Sequence, residues 1–500
     1  MSEIKIDANL PGQPIVPFWK KCIAAGRAAE GLRAEWRGQL REVQKELGFE
    51  YIRFHGIFHE DMMIYHEEDG QPIFNWQYLD SLFDFLLEIN LRPLLELSFM
   101  PYDLASGEAY VFWWKGNITP PKDYDRWAEL VKALVRHCRE RYGQQEVLKW
   151  YFEVWNEPNL INGFWSATME EYFKLYEVTA KAIKAVDTRL RVGGPASSDS
   201  SAGKAPWVEE FIAFCTAHNL PVDFISTHPY PNRYPLDKDG KPMMGYRDED
   251  STWVDMQHVR ETVDASRYKG FEIHLTEWNA SPSPHDLVHD TAFMAPFVVM
   301  NNLKCLGLVD SLAFWTFTDV FEEGRAGDTI FHGGFGLVNA QGLKKASYYG
   351  YWFLFHLGEE KILSGKDYFV ARKGEKLQVL CWNYCHYTEG FSAGDRVKLK
   401  EHNRYGVFVK NKPSEFELSI TGLRGKYKVT EYRLDRRHGS VFDAWLDYGA
   451  PTNPSSEEVE FLKRKAGPEL SLGYHDKETY SRTVTVQPHG VTLIEIQPLE

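Results

Sequence analysis

Between residues 15 and 358, short apolar runs alternate with stretches of helical period. Eight runs read as strands: "QPIVPF", "YIRFHGIF", "LRPLLELSF", "WYFEVWN", "LRVGGP", "VDFISTHPY", "FEIHLTEW" and "SLAFWTFT". The segments between them carry one apolar face. In "KDYDRWAELVKALVRHC", Trp127, Leu130, Leu134 and Cys138 fall together; in "MEEYFKLYEVTAKAIKAV", Phe173, Tyr176, Ala180 and Ile183 do. Strands alternating with helices predict parallel βαβ units, and eight such units close into a (β/α)8 barrel. An open doubly wound sheet is the alternative, but no glycine-rich turn follows an early strand as a dinucleotide fold requires.

The period changes near residue 358. "DYFVARKGEKLQVLCWNY" reads as two strands around a Lys-Gly turn, and "EFELSI", "KYKVTEYRL", "RTVTVQ" and "VTLIEI" alternate apolar with polar. This predicts an accessory β-sandwich over 359–500 beside a catalytic (β/α)8 TIM barrel over 15–358. Two long loops, "PNRYPLDKDGKPMMGYRDED" and "DVFEEGRAGDTIFHGGFGLVN", follow the sixth and eighth strands, on the face that carries barrel active sites. The first reads equally as a subunit contact. The "HGGFG" of the second reads as a turn.

Composition narrows the partners. A net charge of −14 would repel a nucleic-acid backbone. The six cysteines are dispersed, which fits free thiols in a reducing cytoplasm. The start "MSEIKIDANLPGQP" lacks an apolar signal core, and no apolar run reaches membrane-spanning length. A soluble, cytoplasmic protein with neither nucleic-acid nor membrane partners is expected. HExxH, zinc spacing, Walker A and GxSxG are all absent from the sequence, so no metal is expected.

Polar residues at the C-terminal ends of barrel strands converge on one mouth. Strand by strand these are His55; Glu96 to Ser98; Asn156 and Glu157; His228 and Tyr230; Glu277 and Trp278; and Trp315, Thr316 and Asp319. A lone glutamate there is more often an ion-pair partner, and Glu153, inside its strand, is read so. Two glutamates at the ends of strands four and seven, in "WNEP" and "TEWN", point instead to acid–base chemistry. Facing carboxylates suit glycoside hydrolysis, where one carboxyl donates a proton and the other attacks or activates water. Trp315 and other aromatics could form sugar platforms. A carbohydrate-binding barrel without catalysis is the competing class, but binding alone does not require that pair.

These residues carry a resemblance. "FEVWNEPNL" and "IHLTEWNAS" look like the two catalytic blocks of glycoside hydrolase clan A. With "YIRFHGIFHEDM", "SGEAYVFWWKGNITPPKDY", "FWTFTDVFEE" and "FHGGFGLV", the chain resembles the β-xylosidases of glycoside hydrolase family 39. The resemblance implies a retaining double displacement, with Glu157 as general acid/base and Glu277 as nucleophile. It implies that Asn156 bonds the sugar 2-hydroxyl and that His228 and Tyr230 lie near the nucleophile. His55, Phe112, Trp315 and Glu322 would line the xylose subsite, with Glu323 the alternative to Glu322. It further implies no cofactor, residues 1–14 joining the sandwich, and a homotetramer, while the lack of a signal core favours short xylo-oligosaccharide substrates over polymeric xylan. The family also holds α-L-iduronidases, whose uronate substrate needs a cation. After the sixth-strand histidine, "HPYPN" offers none before Arg233, so a neutral sugar is expected, with arabinosidase or β-galactosidase activity as further alternatives.

Overall fold

The computed structural model describes residues 2–499 apart from 202, 235–240, 242, 326 and 396. The middle of the loop after the sixth strand, "PLDKDG" and Pro242, therefore lies outside the described residues. Eight parallel strands close into a barrel: β1 (Cys22–Arg27), β2 (Tyr51–His55), β3 (Arg92–Glu96), β4 (Tyr151–Glu153), β5 (Arg191–Ser197), β6 (Phe224–Thr227), β7 (Glu272–Trp278) and β8 (Ser311–Phe314). The register runs Ile52↔Pro93 between β2 and β3, Tyr151↔Leu94 between β3 and β4, and Phe314↔Ile23 where β8 closes on β1.

A helix follows each strand and turns its apolar stripe onto the barrel. Tyr124–Tyr142 buries Trp127, Leu130, Leu134 and Cys138, and Met169–Val186 buries Phe173, Tyr176, Ala180 and Ile183, the faces their periodicity predicts. Asp123 caps the first of these helices by accepting from the Asp125 and Arg126 N–H groups, and Thr168 caps the second through Glu171 N–H.

Seven of the eight expected strands fall where the apolar runs lie; the first does not. "QPIVPF" contributes only Gln13–Pro14, which pairs with Glu360 and Lys361 outside the barrel. Its two prolines lack the N–H groups that a ladder needs. The true first strand is "CIAAGR", whose small Ala24, Ala25 and Gly26 carry little β propensity but are buried, Ala24 in the barrel interior and Ala25 on the outer face.

Apart from three two-stranded ribbons, the remaining described strands form two sheets. A seven-stranded sheet runs in the order Gln13–Pro14, Glu360–Gly365, Tyr368–Lys373, Lys376–Trp382, Val491–Pro498, Tyr427–Leu434, Glu469–His475. A three-stranded sheet holds Ser2–Asp7, Ser414–Thr421 and Tyr480–Val486, with the first two parallel. Ile4, Ile6, Val379, Phe416, Leu418, Val484 and Ile494 fill the layer between them. The pattern did not predict the edge strand Glu469–His475, because most of its residues face solvent and show no buried period.

Candidate active site

The site is built on the C-terminal ends of β2, β3, β4, β6 and β7 and the loop after β8. The run "WYFEVWN" does not stay extended. Regular β4 ends at Glu153, and Trp155 and Glu157 adopt left-handed backbone with φ of 70° and 42°. This region is costly for bulky side chains and is held only where the surroundings over-determine it. Here Trp155 Nε1 donates to Phe164 O at 2.8 Å, and Glu157 N donates to Ala196 O at 2.9 Å. The turn aims Glu157 across the mouth.

Arg53 organises the barrel interior. It projects from β2 and is fully buried. Its Nε donates to Glu153 Oε2 at 2.9 Å, Nη1 to Glu277 Oε1 at 2.5 Å, and Nη2 to Asn156 Oδ1 at 2.8 Å; Nη2 also lies 2.7 Å from Glu96 Oε2. One guanidinium thus fixes side chains from three other strand ends, a task suited to its rigid fork of donors. It accepts nothing, so the Oδ1 of Asn156 must face it. The Asn156 Nδ2 is left buried with no hydrogen-bond partner.

His228 bridges towards the fourth strand. Its Nδ1 is 2.9 Å from Glu157 Oε1 and its Nε2 is 3.0 Å from Thr276 Oγ1. Tyr230 OH donates to Glu277 Oε2 at 3.1 Å. Donor atoms of Glu157, His228 and Glu277 all lie within 4.8 Å of one another. On the opposite wall His55 Nδ1 meets Glu96 Oε2 at 2.6 Å, and its Nε2 lies 3.5 Å from Glu277 Oε1. The His55 ring sits 4.8 Å from Trp315 and 6.5 Å from Phe112, centre to centre.

Environment divides these groups. Glu157 is 6% exposed and Glu277 5%. Burial pushes the Glu157 carboxyl up to about 7, against the pull of His55 and Arg53. Burial pushes the His228 ring down to about 4. It also opposes charge on His55, but Glu96, then Glu323 and Glu277, outweigh it and raise that ring to about 9. Glu96 sits below the ordinary carboxylate value because Arg53 and His55 overcome the cost of its burial.

The structure therefore gathers His55, Phe112, Asn156, Glu157, His228, Tyr230, Glu277 and Trp315 around one small mouth. It does not bring Glu322 there. Glu322 is drawn outward by two guanidiniums, Arg27 at 2.6 Å and Arg33 at 2.5 Å. Its neighbour Glu323 points inward instead, with Oε1 3.4 Å from His55 Nε2 but in no hydrogen bond. Burial holds its carboxyl well above the ordinary value. Sequence reasoning missed Arg53 and Thr276. For Arg53 a signal existed, since an arginine inside the apolar run "YIRF" has to meet buried carboxylates. Thr276, a small polar residue before Glu277, carried none.

The family model for glycosyl hydrolases family 39 matches residues 2–478. The chain belongs to this family. It is 36% identical over 495 residues to a β-xylosidase of Caldicellulosiruptor saccharolyticus, covering 96% of this chain and 95% of that one. It is likewise 36% identical over 489 residues to a β-xylosidase of Geobacillus stearothermophilus, covering 96% and 92%. Among solved structures, a monomeric β-xylosidase from Caulobacter crescentus CB15 superposes over the whole of both chains with a TM-score of 0.89 at 32% identity. This family 39 chain is a glycoside hydrolase, and its mouth holds the paired carboxyls that such chemistry needs.

Proposed function

We propose that the chain is a retaining exo-β-xylosidase that releases D-xylose from the non-reducing end of short xylo-oligosaccharides. The observation that carries this reading is the approach of Glu157 and Glu277 oxygens to within 4.8 Å. Retaining glycosidases hold their carboxyls ~5–5.5 Å apart, whereas inverting ones leave ~6.5–9.5 Å for a water.

Glu277 is the nucleophile: Arg53 donates to its Oε1 and Tyr230 to its Oε2, which fixes the carboxyl at the mouth. In the first step a Glu277 oxygen bonds the anomeric carbon while the glycosidic C–O bond breaks. The departing oxygen takes the Glu157 proton, giving free aglycone and a xylosyl ester. In the second step the Glu157 carboxylate takes a proton from water and the water oxygen bonds the anomeric carbon. The ester bond breaks, returning ionised Glu277 and protonated Glu157 with β-xylose. The unpartnered Asn156 Nδ2 is the donor for the 2-hydroxyl. His55, Phe112 and Trp315 wall the sugar, and Glu323 takes the hydroxyl contact first expected of Glu322.

The near-complete burial of both carboxyls supports a small pocket and exo action. A neutral sugar is supported by Arg233, whose guanidinium turns away to Ser392 O at 3.2 and 3.3 Å. The cysteines are all buried and free, which supports a reducing cytoplasm; among the described residues no helix is long and apolar enough to cross a membrane. We keep 1–14 with 359–500 as one unit against the barrel of 15–358, supported by the pairing of Ser2–Asp7 with Ser414–Thr421. The tetramer implied by the resemblance is tested by light scattering, with the monomeric Caulobacter relative as the contrast.

Trapping with a 2-fluoro-β-xyloside followed by peptide mapping tests the mechanism. The ester is expected on Glu277; a label on another residue, or turnover of an α-L-iduronide in preference to xylobiose, overturns the reading.

A further inference from the structure

A line of buried side chains leads to Glu157, and its polarity is fixed from the far end. Glu153 Oε2 accepts from Arg53 Nε at 2.9 Å, the hydrogen bond of a carboxylate to a guanidinium. An ionised carboxylate has no hydrogen to give. At 2.7 Å, Thr276 Oγ1 is therefore the donor to Glu153 Oε1. A threonine hydroxyl owns one hydrogen, so towards His228 Nε2, 3.0 Å away, it can only accept. His228 thus carries its hydrogen on Nε2. The ring is buried and neutral, which leaves a bare lone pair on Nδ1. That lone pair faces Glu157 Oε1 at 2.9 Å. Two lone pairs at this distance repel; a proton on Glu157 turns the contact into a hydrogen bond.

We propose that Thr276 is a positioning residue that sets the tautomer of His228 and, through it, holds Glu157 protonated before the first step. The same polarity serves the second step. Once Glu157 has given up its proton, its carboxylate faces the bare Nδ1, which raises its affinity for the proton of the incoming water. This rests on the reading of Glu157 as acid and base. Other strands act on the pair without touching the Nε2 link. Glu277 lies 3.9 Å from His228 Nδ1; Arg53 and His55 pull the Glu157 carboxyl down, and Glu96 pushes it up. Ser198, after β5, bonds Glu157 and pulls it down, and Tyr234 faces it from the loop after β6.

Two measurements decide the matter. In ¹⁵N spectra of histidine-labelled wild-type protein, with the His228 signals assigned through their loss in His228→Asn, a neutral Nε2–H ring is expected. An Nδ1–H ring overturns the proposal without any substitution at Thr276. In Thr276→Val the hydroxyl is gone, the ring is free to turn its hydrogen to Nδ1, and the alkaline limb of kcat/KM falls by about one unit, while Thr276→Ser keeps the wild-type limb. A folded Thr276→Val enzyme with an unmoved limb overturns the proposal. If Glu157 were not the acid, Glu157→Ala would keep the wild-type limb whatever the tautomer, so the two failures are distinct.

Discussion

At the barrel mouth, Arg53 and His55 face the carboxyls of Glu96, Glu153, Glu157, Glu277 and Glu323. Where the barrel meets the accessory sheets, Lys345 and Arg404 face Asp290 and Asp319. Both clusters are buried, yet their charges are counted differently. In the second, two cations meet two acids. Lys345 lies 3.0 Å from Asp290 and 2.9 Å from Asp319, and Arg404 lies 2.7 Å from Asp290. Asp290 is held below its ordinary value because Lys345 and Arg404 overcome the cost of burial. The Gly333 and Gly336 N–H groups fill remaining lone pairs. Such a cluster is inert and holds the loop after β8 in place. At the mouth the acids outnumber the cations. Burial first, and repulsion from neighbouring acids after it, then raise Glu157 and Glu323 above the ordinary carboxylate value. Burial that the nearby cations do not fully offset is what leaves a proton available for transfer at neutral pH.

Substitutions in the two clusters should fail in different ways. Glu277→Ala should lower kcat on aryl β-xylosides by on the order of 10⁴-fold with little change in melting temperature; a collapse of stability instead would make the mouth a structural cluster like the other. Glu157→Ala should slow xylobiose by about 10³-fold but activated aryl xylosides far less, and equal losses would remove Glu157 as the acid. Lys345→Met leaves two buried aspartates facing one cation, so urea unfolding should show a loss of about 3–5 kcal/mol while kcat of the folded enzyme holds. A drop in kcat without destabilisation would mean that the balanced cluster feeds the site.

The pH profile tests the same contrast. A donor acts only while protonated, and burial raises Glu157 to about 7, so kcat/KM should fall as pH rises through that value. In Glu157→Ala the alkaline limb should vanish. The smallest effect distinguishes neighbours: Glu323→Gln should raise KM for xylobiose about tenfold, and Glu322→Gln should leave it unchanged. The reverse order would return Glu322 to the sugar.

Much of this was readable in the chain because it depends on period and on strand ends. Seven strands, the helical faces and the pair Glu157 and Glu277 follow from apolar runs that end in polar residues. "CIAAGR" was not legible, since its small residues suit crowded surroundings on both faces that only closure of the barrel creates. Glu323 could not be preferred to Glu322, because that choice depends on where Arg27 and Arg33 lie, and both precede it by nearly 300 positions.

By itself the sequence determined which residue types stand at which strand ends, because side-chain alternation and helical period are local properties of the backbone. The tertiary structure decided how their charges share one space. Arg53, Glu96, Glu153, Asn156 and Glu277 come from four strands and meet only when the barrel closes. Electrostatic coupling in a dry interior depends on those distances and not on order along the chain.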